Sequence, residues 1–247
     1  MDVSSFLADF DALEQWTIVA AVSCVFWFAL DVFVGKERAG LEVAPLVHSA
    51  VAGFGSLACW AIELSQNTEE QEPIRSLECR SGGLLMTALL PMISCGYALH
   101  DMMEGLRMRR TDYLLHGVVM AAVMAAVCIF GVPRVVTRAL ITETSTVFLN
   151  LRRRKWKVPS CALFVDVAFA LLFIITRLFM MPYWIYEFVA RFYAEKARGN
   201  SNICVPETII HVAILSGIFF TVLNYYWGTL IIKKLAKKIG GNNRKEK

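Results

Sequence analysis

The sequence is poor in charged residues, which make up 19% of its 247 positions, whereas hydrophobic residues make up 57%. Soluble proteins carry roughly 25% charged residues, so this excess of apolar residues indicates a lipid environment rather than a larger core. The apolar residues also occur in blocks of about twenty, the length a helix needs to cross about 30 Å of hydrocarbon. The sequence therefore predicts an all-α, multi-pass transmembrane helix bundle.

Basic residues are missing from the first fifteen positions, which carry Asp2, Asp9, Asp11 and Glu14 instead. A secretory signal peptide opens with a basic region, so we expect no cleaved signal here. The first apolar block should then remain in the protein as a transmembrane helix.

Paired cysteines are also missing. The seven cysteines are scattered singly and form no Cys-x-x-Cys pattern, so the sequence predicts no metal or redox site. Most of them are expected to be small buried residues. Cys79 and Cys204 fall in loops that the topology below places on the same side, and a disulfide between them stays open.

Seven segments are expected to span the membrane, within a range of six to eight. The fifth segment is short and contains Arg138 and Glu143, each of which costs on the order of 3 kcal/mol near the bilayer centre. The predicted spans are 16–34, 43–64, 82–103, 113–132, 135–150, 161–181 and 208–232. Residues 1–42 would form a lumenal N-terminus with the first helix, 43–232 a six-helix membrane domain, and 233–247 a basic cytosolic tail.

The distribution of Lys and Arg over the loops predicts the orientation. With seven spans, seventeen of these residues fall on one face and seven on the other. Since Lys and Arg accumulate on the cytoplasmic side, we expect a lumenal N-terminus and a cytosolic C-terminus. Without the fifth span, the basic run 152–157 would become lumenal, so we count that segment as a span.

Two connecting regions carry recognisable signals. The lumenal stretch 182–207 is rich in aromatic residues, and we expect an interfacial amphipathic helix over 183–196. The tail ends Arg244-Lys245-Glu246-Lys247, which looks like a dibasic signal that returns membrane proteins to the endoplasmic reticulum. An ordinary basic tail attracted to anionic lipid explains it equally well.

Polar and ionisable residues inside spans are candidates for function, because lipid cannot solvate them. In the predicted topology a group of them lies in the cytosolic third of the bundle, and Arg177 lies deeper. Glu143, Thr146 and Asn150 step by three and four residues, which places them on one inward face of the fifth span. The candidate binding residues are His48, His100, Glu143, Thr146, Asn150, Asp166 and Arg177.

Asp101 and His116 lie on neighbouring helices joined by a short loop. A carboxylate that orients an imidazole makes a general base, so both are the catalytic candidates if the protein is an enzyme. Alternatively, Asp101 pairs with arginines of the next loop and His116 bonds a backbone carbonyl. For Arg177, the alternative is an ion pair with Glu63 or Glu143 that fixes helix packing.

The pattern of these residues resembles the TLC domain, which occurs in ceramide synthases, in the translocating-chain-associated membrane protein and in smaller TLC domain-containing proteins. The resemblance covers about residues 43–232 and is nearest to the smaller proteins. His48 and Ser49 resemble the histidine region near the start of that domain. The other matching motifs are Gly96-Tyr97-x-x-x-Asp101, Leu114-Leu115-His116, Ile141-Thr142-Glu143-x-Ser145-Thr146-x-Phe148-x-Asn150-Leu151-Arg152, and Arg177 in the next span.

The resemblance implies a protein of the endoplasmic reticulum or Golgi membrane that acts in sphingolipid or phospholipid homeostasis. In the ceramide synthase branch a histidine pair and nearby aspartates are thought to transfer an acyl chain from coenzyme A to a sphingoid base. This sequence has only the first histidine, His116, with Gly117 in the second place. The aspartate doublet is replaced by His100 and a single Asp101.

We therefore expect a membrane protein of lipid homeostasis that binds lipid or a partner in a polar, cytosol-facing pocket. It would bind membrane lipids, no nucleic acid and no cofactor, and it could form a homo-oligomer. The first alternative is a sphingoid base N-acyltransferase with acyl-coenzyme A as co-substrate, in which His116 deprotonates the amine. The second is a cargo receptor. A transporter has little support, because no span is broken at its middle by Pro or Gly.

Overall fold

A computed structural model describes residues 12–34, 43–65, 85–129, 133–152, 158–199 and 206–242. Within these residues all regular structure is helical. The helices are α1 (Ala12–Val34), α2 (Val43–Ser65), α3 (Leu85–Met108), α4 (Thr111–Ile129), α5 (Pro133–Leu140), α6 (Glu143–Arg152), α7 (Pro159–Leu172), a π-helical segment (Phe173–Met180), α8 (Met181–Ala197) and α9 (Glu207–Asn242). Cys79, Cys204 and the end of the dibasic tail lie outside the described residues.

In the described part of the chain, four helices are long and apolar enough to cross a membrane. They are Trp16–Val34, Val43–Ser65, Ser160–Ala197 and Glu207–Lys233, and Tyr113–Ala126 is a shorter apolar helix. Together with α3 and the α5–α6 pair, the described chain makes seven helical passages, which fits the predicted multi-pass bundle.

Helix α3 lies at the centre of the bundle and contacts α1, α2, α4 and α5. It holds α1 and α4 at very short distances through glycines. A Cβ atom on Gly96 would lie 2.6 Å from the carbonyl oxygen of Ala20, and one on Gly117 would lie 2.7 Å from that of Ala98. Because these helices meet backbone to backbone, α1 belongs to the same bundle as the helices that follow it.

The loop between α3 and α4 is short. Arg109 has a φ of 54°, in the left-handed region that ends many helices. The backbone N–H of Arg110 then donates to the carbonyl oxygen of Gly105 at 2.8 Å, so the last turn of α3 is closed. The two helices therefore form an antiparallel hairpin, as the sequence predicted.

The fifth span is not one continuous helix, which corrects the prediction for 135–150. A turn at Ile141 and Thr142 separates α5 from α6. Through this turn the backbone N–H groups bond three residues back, and the hydroxyls of Thr142 and Thr144 donate to the carbonyl oxygens of Ala139 and Ile141 at 2.8 Å each. The same two oxygens also accept the backbone N–H bonds of Thr142 and Thr144, so each hydroxyl is satisfied within the turn instead of facing lipid.

The predicted helix over 183–196 is present, but it is not a separate interfacial element. It continues α7 and the π-helical segment as one helix, Ser160–Ala197, of 38 residues. At 1.5 Å per residue this helix is about 57 Å long, well beyond the roughly 30 Å of hydrocarbon. It therefore projects out of the bilayer. Likewise, α9 continues as a helix to Asn242, ten residues past the predicted end of its span.

Candidate functional site

A cavity of about 310 Å³ lies among α2, α3, α4, α6, the π-helical segment and α9, and we call it the polar cavity. It brings together seven of the nine residues that the sequence singled out, although they come from five separate stretches of the chain. These are His48, Asp101, His116, Glu143, Thr146, Asn150 and Arg177.

Helical spacing explains how α3 and α6 line this cavity. On α3, the lining residues Ser94, Tyr97 and Asp101 step by three and four positions, so they share one face. On α6, Glu143, Thr146 and Asn150 do the same, and all of them line the cavity.

His48 is a buried residue held by three neighbours. Its imidazole stacks flat on the Tyr97 ring, with centroids 3.8 Å apart and planes 4° apart. Its Nε2 lies 3.2 Å from the hydroxyl of Ser94, and the Trp27 ring meets it edge-on at 5.7 Å. His48 therefore connects α1, α2 and α3 beside the cavity and has little freedom to move.

Arg177 projects from the π-helical segment and makes contacts with two other helices. Its guanidinium donates to Ser145 at 3.0 Å, to Thr146 at 2.8 Å and to Glu143 at 3.3 Å on α6, and to Asn224 at 3.4 Å on α9. A π-helix is rare and widens the helical turn, and it is frequent at functional sites. Of the two partners considered for Arg177, Glu143 is the one present.

Asp101 and His116 line the same cavity, on α3 and α4. The imidazole contact that the structure gives Asp101 is with its neighbour His100, whose Nδ1 lies 3.9 Å from Asp101 Oδ1. His116 is an exposed residue of α4. The two candidate catalytic residues thus line one cavity.

Two of the predicted binding residues lie away from the polar cavity. His100 Nε2 is 2.9 Å from Asp31 Oδ2 on α1. Asp166 accepts a hydrogen bond of 2.6 Å from Arg152 Nε. Glu63, the other partner considered for Arg177, lies 3.9 Å from Arg138. These three residues connect helices.

Asn150 lines the polar cavity and has an unbonded side-chain donor in the described part of the chain. It is 4% exposed, and its side-chain Nδ2 has no hydrogen-bond partner in the described part of the chain. A buried donor without a partner costs about 1–3 kcal/mol. A ligand with an acceptor oxygen in the cavity would remove that cost.

A second cavity, of about 190 Å³, adjoins the first between α4, α5, α8 and α9, and we call it the apolar cavity. Both cavities are lined by His116, Met120, Leu140, Glu143, Arg177 and Trp227. Beyond these shared residues its walls are mostly apolar, and they include Val123, Val136, Trp184, Ile185, Phe188, Ile214 and Phe220. The ion pair of Glu143 and Arg177 therefore lies where a polar space meets an apolar one.

Sequence reasoning missed the aromatic part of the polar cavity, namely Tyr97, Tyr113, Phe169, Phe173 and Trp227. One signal could have indicated Tyr97, since it lies four residues before Asp101 on the same helical face. Trp227 could not be placed, because its position in the cavity wall depends on how the last helix packs.

The fold and the cavities define a helical, multi-pass membrane protein with an amphipathic interior space. A family model described as the TLC domain matches residues 42–233. The chain therefore belongs to the TLC domain family, and the resemblance seen in its motifs is confirmed. Comparison with curated proteins and with solved structures gave no match.

Proposed function

We propose that this protein binds a membrane lipid, with the head group in the polar cavity and an acyl chain in the apolar cavity, and that it acts in lipid homeostasis. The observation that carries the proposal is the junction of the two cavities at Glu143 and Arg177. An amphipathic ligand needs a polar and an apolar compartment in contact, and each buried CH₂ group contributes about 0.8 kcal/mol to its binding.

The charges of the polar cavity restrict the head group. Glu143 is paired with Arg177, and Asp101 adds a second carboxylate. A strongly anionic head group would meet this carboxylate, so the cavity favours a neutral or zwitterionic one. Asn150 supplies a free donor for a carbonyl or phosphoryl oxygen.

The route into the cavities runs between α4 and α9. Their facing walls come from Met120 and Val123 on one side and from Phe220 and Trp227 on the other. Helix α9 packs on the π-helical segment and α8, while α4 packs mainly on α3. A lipid could thus enter sideways from the bilayer without crossing a polar surface.

The test fills the apolar cavity. Ser216→Trp places a large ring in its wall, whereas Leu215→Trp, one position along α9, places the same ring on a 66% exposed surface. After purification in detergent, lipids that remain bound are identified by native mass spectrometry. We expect retained lipid in the wild type and in Leu215→Trp, and loss of it in Ser216→Trp. Equal retention in both variants would refute binding in this cavity.

The proposal places the protein in the endoplasmic reticulum with a lumenal N-terminus and a cytosolic C-terminus. The orientation is supported by the excess of Lys and Arg on one face, seventeen against seven. Two single substitutions create matched glycosylation acceptors: Cys204→Thr at Asn202, and Arg244→Thr at Asn242. We expect a glycan on the first variant and none on the second. The reverse pattern would invert the topology.

A second candidate function is N-acyl transfer from acyl-coenzyme A to a sphingoid base. The observation that favours it is that Asp101 and His116 line one cavity. The assay follows ceramide formation by the purified protein in lipid nanodiscs, alongside His116→Ala and Asp101→Ala. Product that disappears in both variants would establish the enzyme, and absence of product from folded wild type would exclude it.

A cargo receptor is a third candidate, based on the dibasic tail in the sequence. If it is correct, replacing Lys245 should relocate the protein and deplete its clients. Unchanged location would remove this candidate.

A further inference from the structure

We propose a metal site at one end of the helix pair α1 and α3, built from Asp31, His100 and Glu104. Each of these residues offers one ligand atom, and the three atoms lie within 4.8 Å of one another. His100 and Glu104 are four residues apart and share one face of α3. Asp31 comes from the last turn of α1.

Close contacts near this site fix the distance between α1 and α3. At Gly96, one turn before His100, a Cβ would lie 2.6 Å from Ala20 of α1. On the next turn of α1, the Ser23 hydroxyl donates to the carbonyl oxygen of Ile93 at 3.0 Å. These contacts hold the two halves of the site in register, as a metal site requires.

His100 is oriented as a metal ligand is. It is 3% exposed, and its Nε2 faces Asp31 at 2.9 Å. On the opposite side of the ring, Nδ1 has no hydrogen-bond partner in the described residues, and Asp101 Oδ1 lies 3.9 Å away. A histidine that binds a metal through one nitrogen usually donates the proton of the other to a carboxylate. Asp101 carries the carboxylate beside Nδ1, and it would have to move closer by about 1 Å to accept that proton.

The local charge favours a cation. The carboxylates of Asp31 and Glu104 are 10% and 9% exposed, and Glu104 accepts a bond of 2.8 Å from Arg107, itself 60% exposed. Removing carboxylates from water costs several kcal/mol each unless they are compensated. Asp31 is already paired with His100, and Glu104 with Arg107, so a bound dication would add a charge that both carboxylates share.

One imidazole nitrogen and two carboxylate oxygens suit Zn²⁺ or Mn²⁺, and we commit to Zn²⁺ because the imidazole is buried and oriented. This site is distinct from the polar cavity, which His100, Asp31 and Glu104 do not line. Asp101 touches both, so the metal would fix one wall of the lipid site.

The test measures Zn²⁺ bound to the chelator-treated, purified protein, by elemental mass spectrometry and by titration. We expect about one Zn²⁺ per chain, and loss of it in Asp31→Asn, His100→Gln and Glu104→Gln. Asp101→Asn should weaken affinity about 10–100-fold. The matched control is His211→Gln, which alters an exposed His–Glu pair with Glu207, 3.9 Å away, and should bind as wild type does.

A wild type that binds no Zn²⁺ at stoichiometric level, or site variants that bind as tightly as His211→Gln, would overturn the proposal. If the site variants do not fold, X-ray absorption on wild type decides. One nitrogen and two oxygens at about 2.0–2.2 Å support the site, whereas sulfur at about 2.3 Å indicates cysteine ligands and overturns it.

Discussion

Gly53 of α2 lies against the backbone of Glu143 and Thr144, at the point where α6 begins. A Cβ on Gly53 would be 2.5 Å from the backbone nitrogen of Thr144 and 2.8 Å from the carbonyl carbon of Glu143. The turn between α5 and α6 therefore packs against α2 at a glycine, where no side chain obstructs it. Glu143, the first residue after the break, is the one that meets Arg177.

Gly53→Ala should therefore destabilise the protein by about 1–3 kcal/mol, because backbone must move to admit the methyl group. The control is Gly55→Ala on the same helix, where the nearest atom is the flexible Leu90 Cδ2 at 3.0 Å. There the gain in helix propensity, about 1 kcal/mol, opposes the contact. Thermal unfolding of both variants in the same detergent compares their losses of stability. Equal losses would contradict the conclusion that α2 needs a glycine where it meets the turn between α5 and α6.

Gly117→His should not restore the histidine pair that the family resemblance implies. A Cβ at this position would lie 2.7 Å from both the Ala98 carbonyl oxygen and the Met102 nitrogen. We expect α3 and α4 to separate and folded protein to fall in size-exclusion chromatography. Val118→His, at a 45% exposed position next in sequence, controls for a histidine in α4 and should leave more folded protein.

Arg177→Met should cost about 3–5 kcal/mol, because it leaves Glu143 charged without its partner in a place that is 17% exposed. The double variant Arg177→Met with Glu143→Met should recover part of that loss. Arg152→Met is the control, since its pair with Asp166 is 28% and 24% exposed. Denaturation in mixed micelles checks the order, and a larger loss for Arg152→Met would contradict it.

Tyr225 compensates for a proline in the middle of the long helix. Pro182 has no N–H to donate to the carbonyl oxygen of Leu178, four residues earlier, and the Tyr225 hydroxyl on α9 donates to that oxygen at 3.0 Å. Tyr225→Phe should cost about 0.5–1.5 kcal/mol. In Pro182→Ala the helix can make its own bond, so Tyr225→Phe should cost less there. A double-mutant cycle measures this, and additive losses would refute the compensation.

Most of the helical passages could be predicted from sequence, because apolar length and loop charge depend on residue type alone. Two features could not. The break at Ile141 and Thr142 involves neither Pro nor Gly and depends on Gly53 of another helix. The helix also continues through Pro182, and the hydroxyl that donates to the Leu178 carbonyl oxygen beside it comes from Tyr225 on α9.

Part of the candidate site could also be predicted, because it depends on residue type alone. Seven residues line one cavity because polar groups in spans must face inward. His100 could not be separated from them, since its partner Asp31 lies in α1 and the spacing within α3 gives no indication of it. The apolar cavity depends on the packing of α9 and leaves no local pattern.

The π-helical segment makes the register of the long helix depend on a single residue. At its end, the N–H of Met181 donates to the carbonyl oxygen of Thr176, five positions back. Deleting one residue between Phe173 and Met180 would let the segment close as an ordinary α-helix, and everything on one side would turn by about 100° relative to the other. Either Arg177 would leave Glu143, or Trp184 and Phe188 would leave the apolar cavity. Substitutions can thus change the polar cavity and the apolar cavity independently. An insertion or deletion in the π-helical segment, in contrast, would remove the long helix from the wall of one of them.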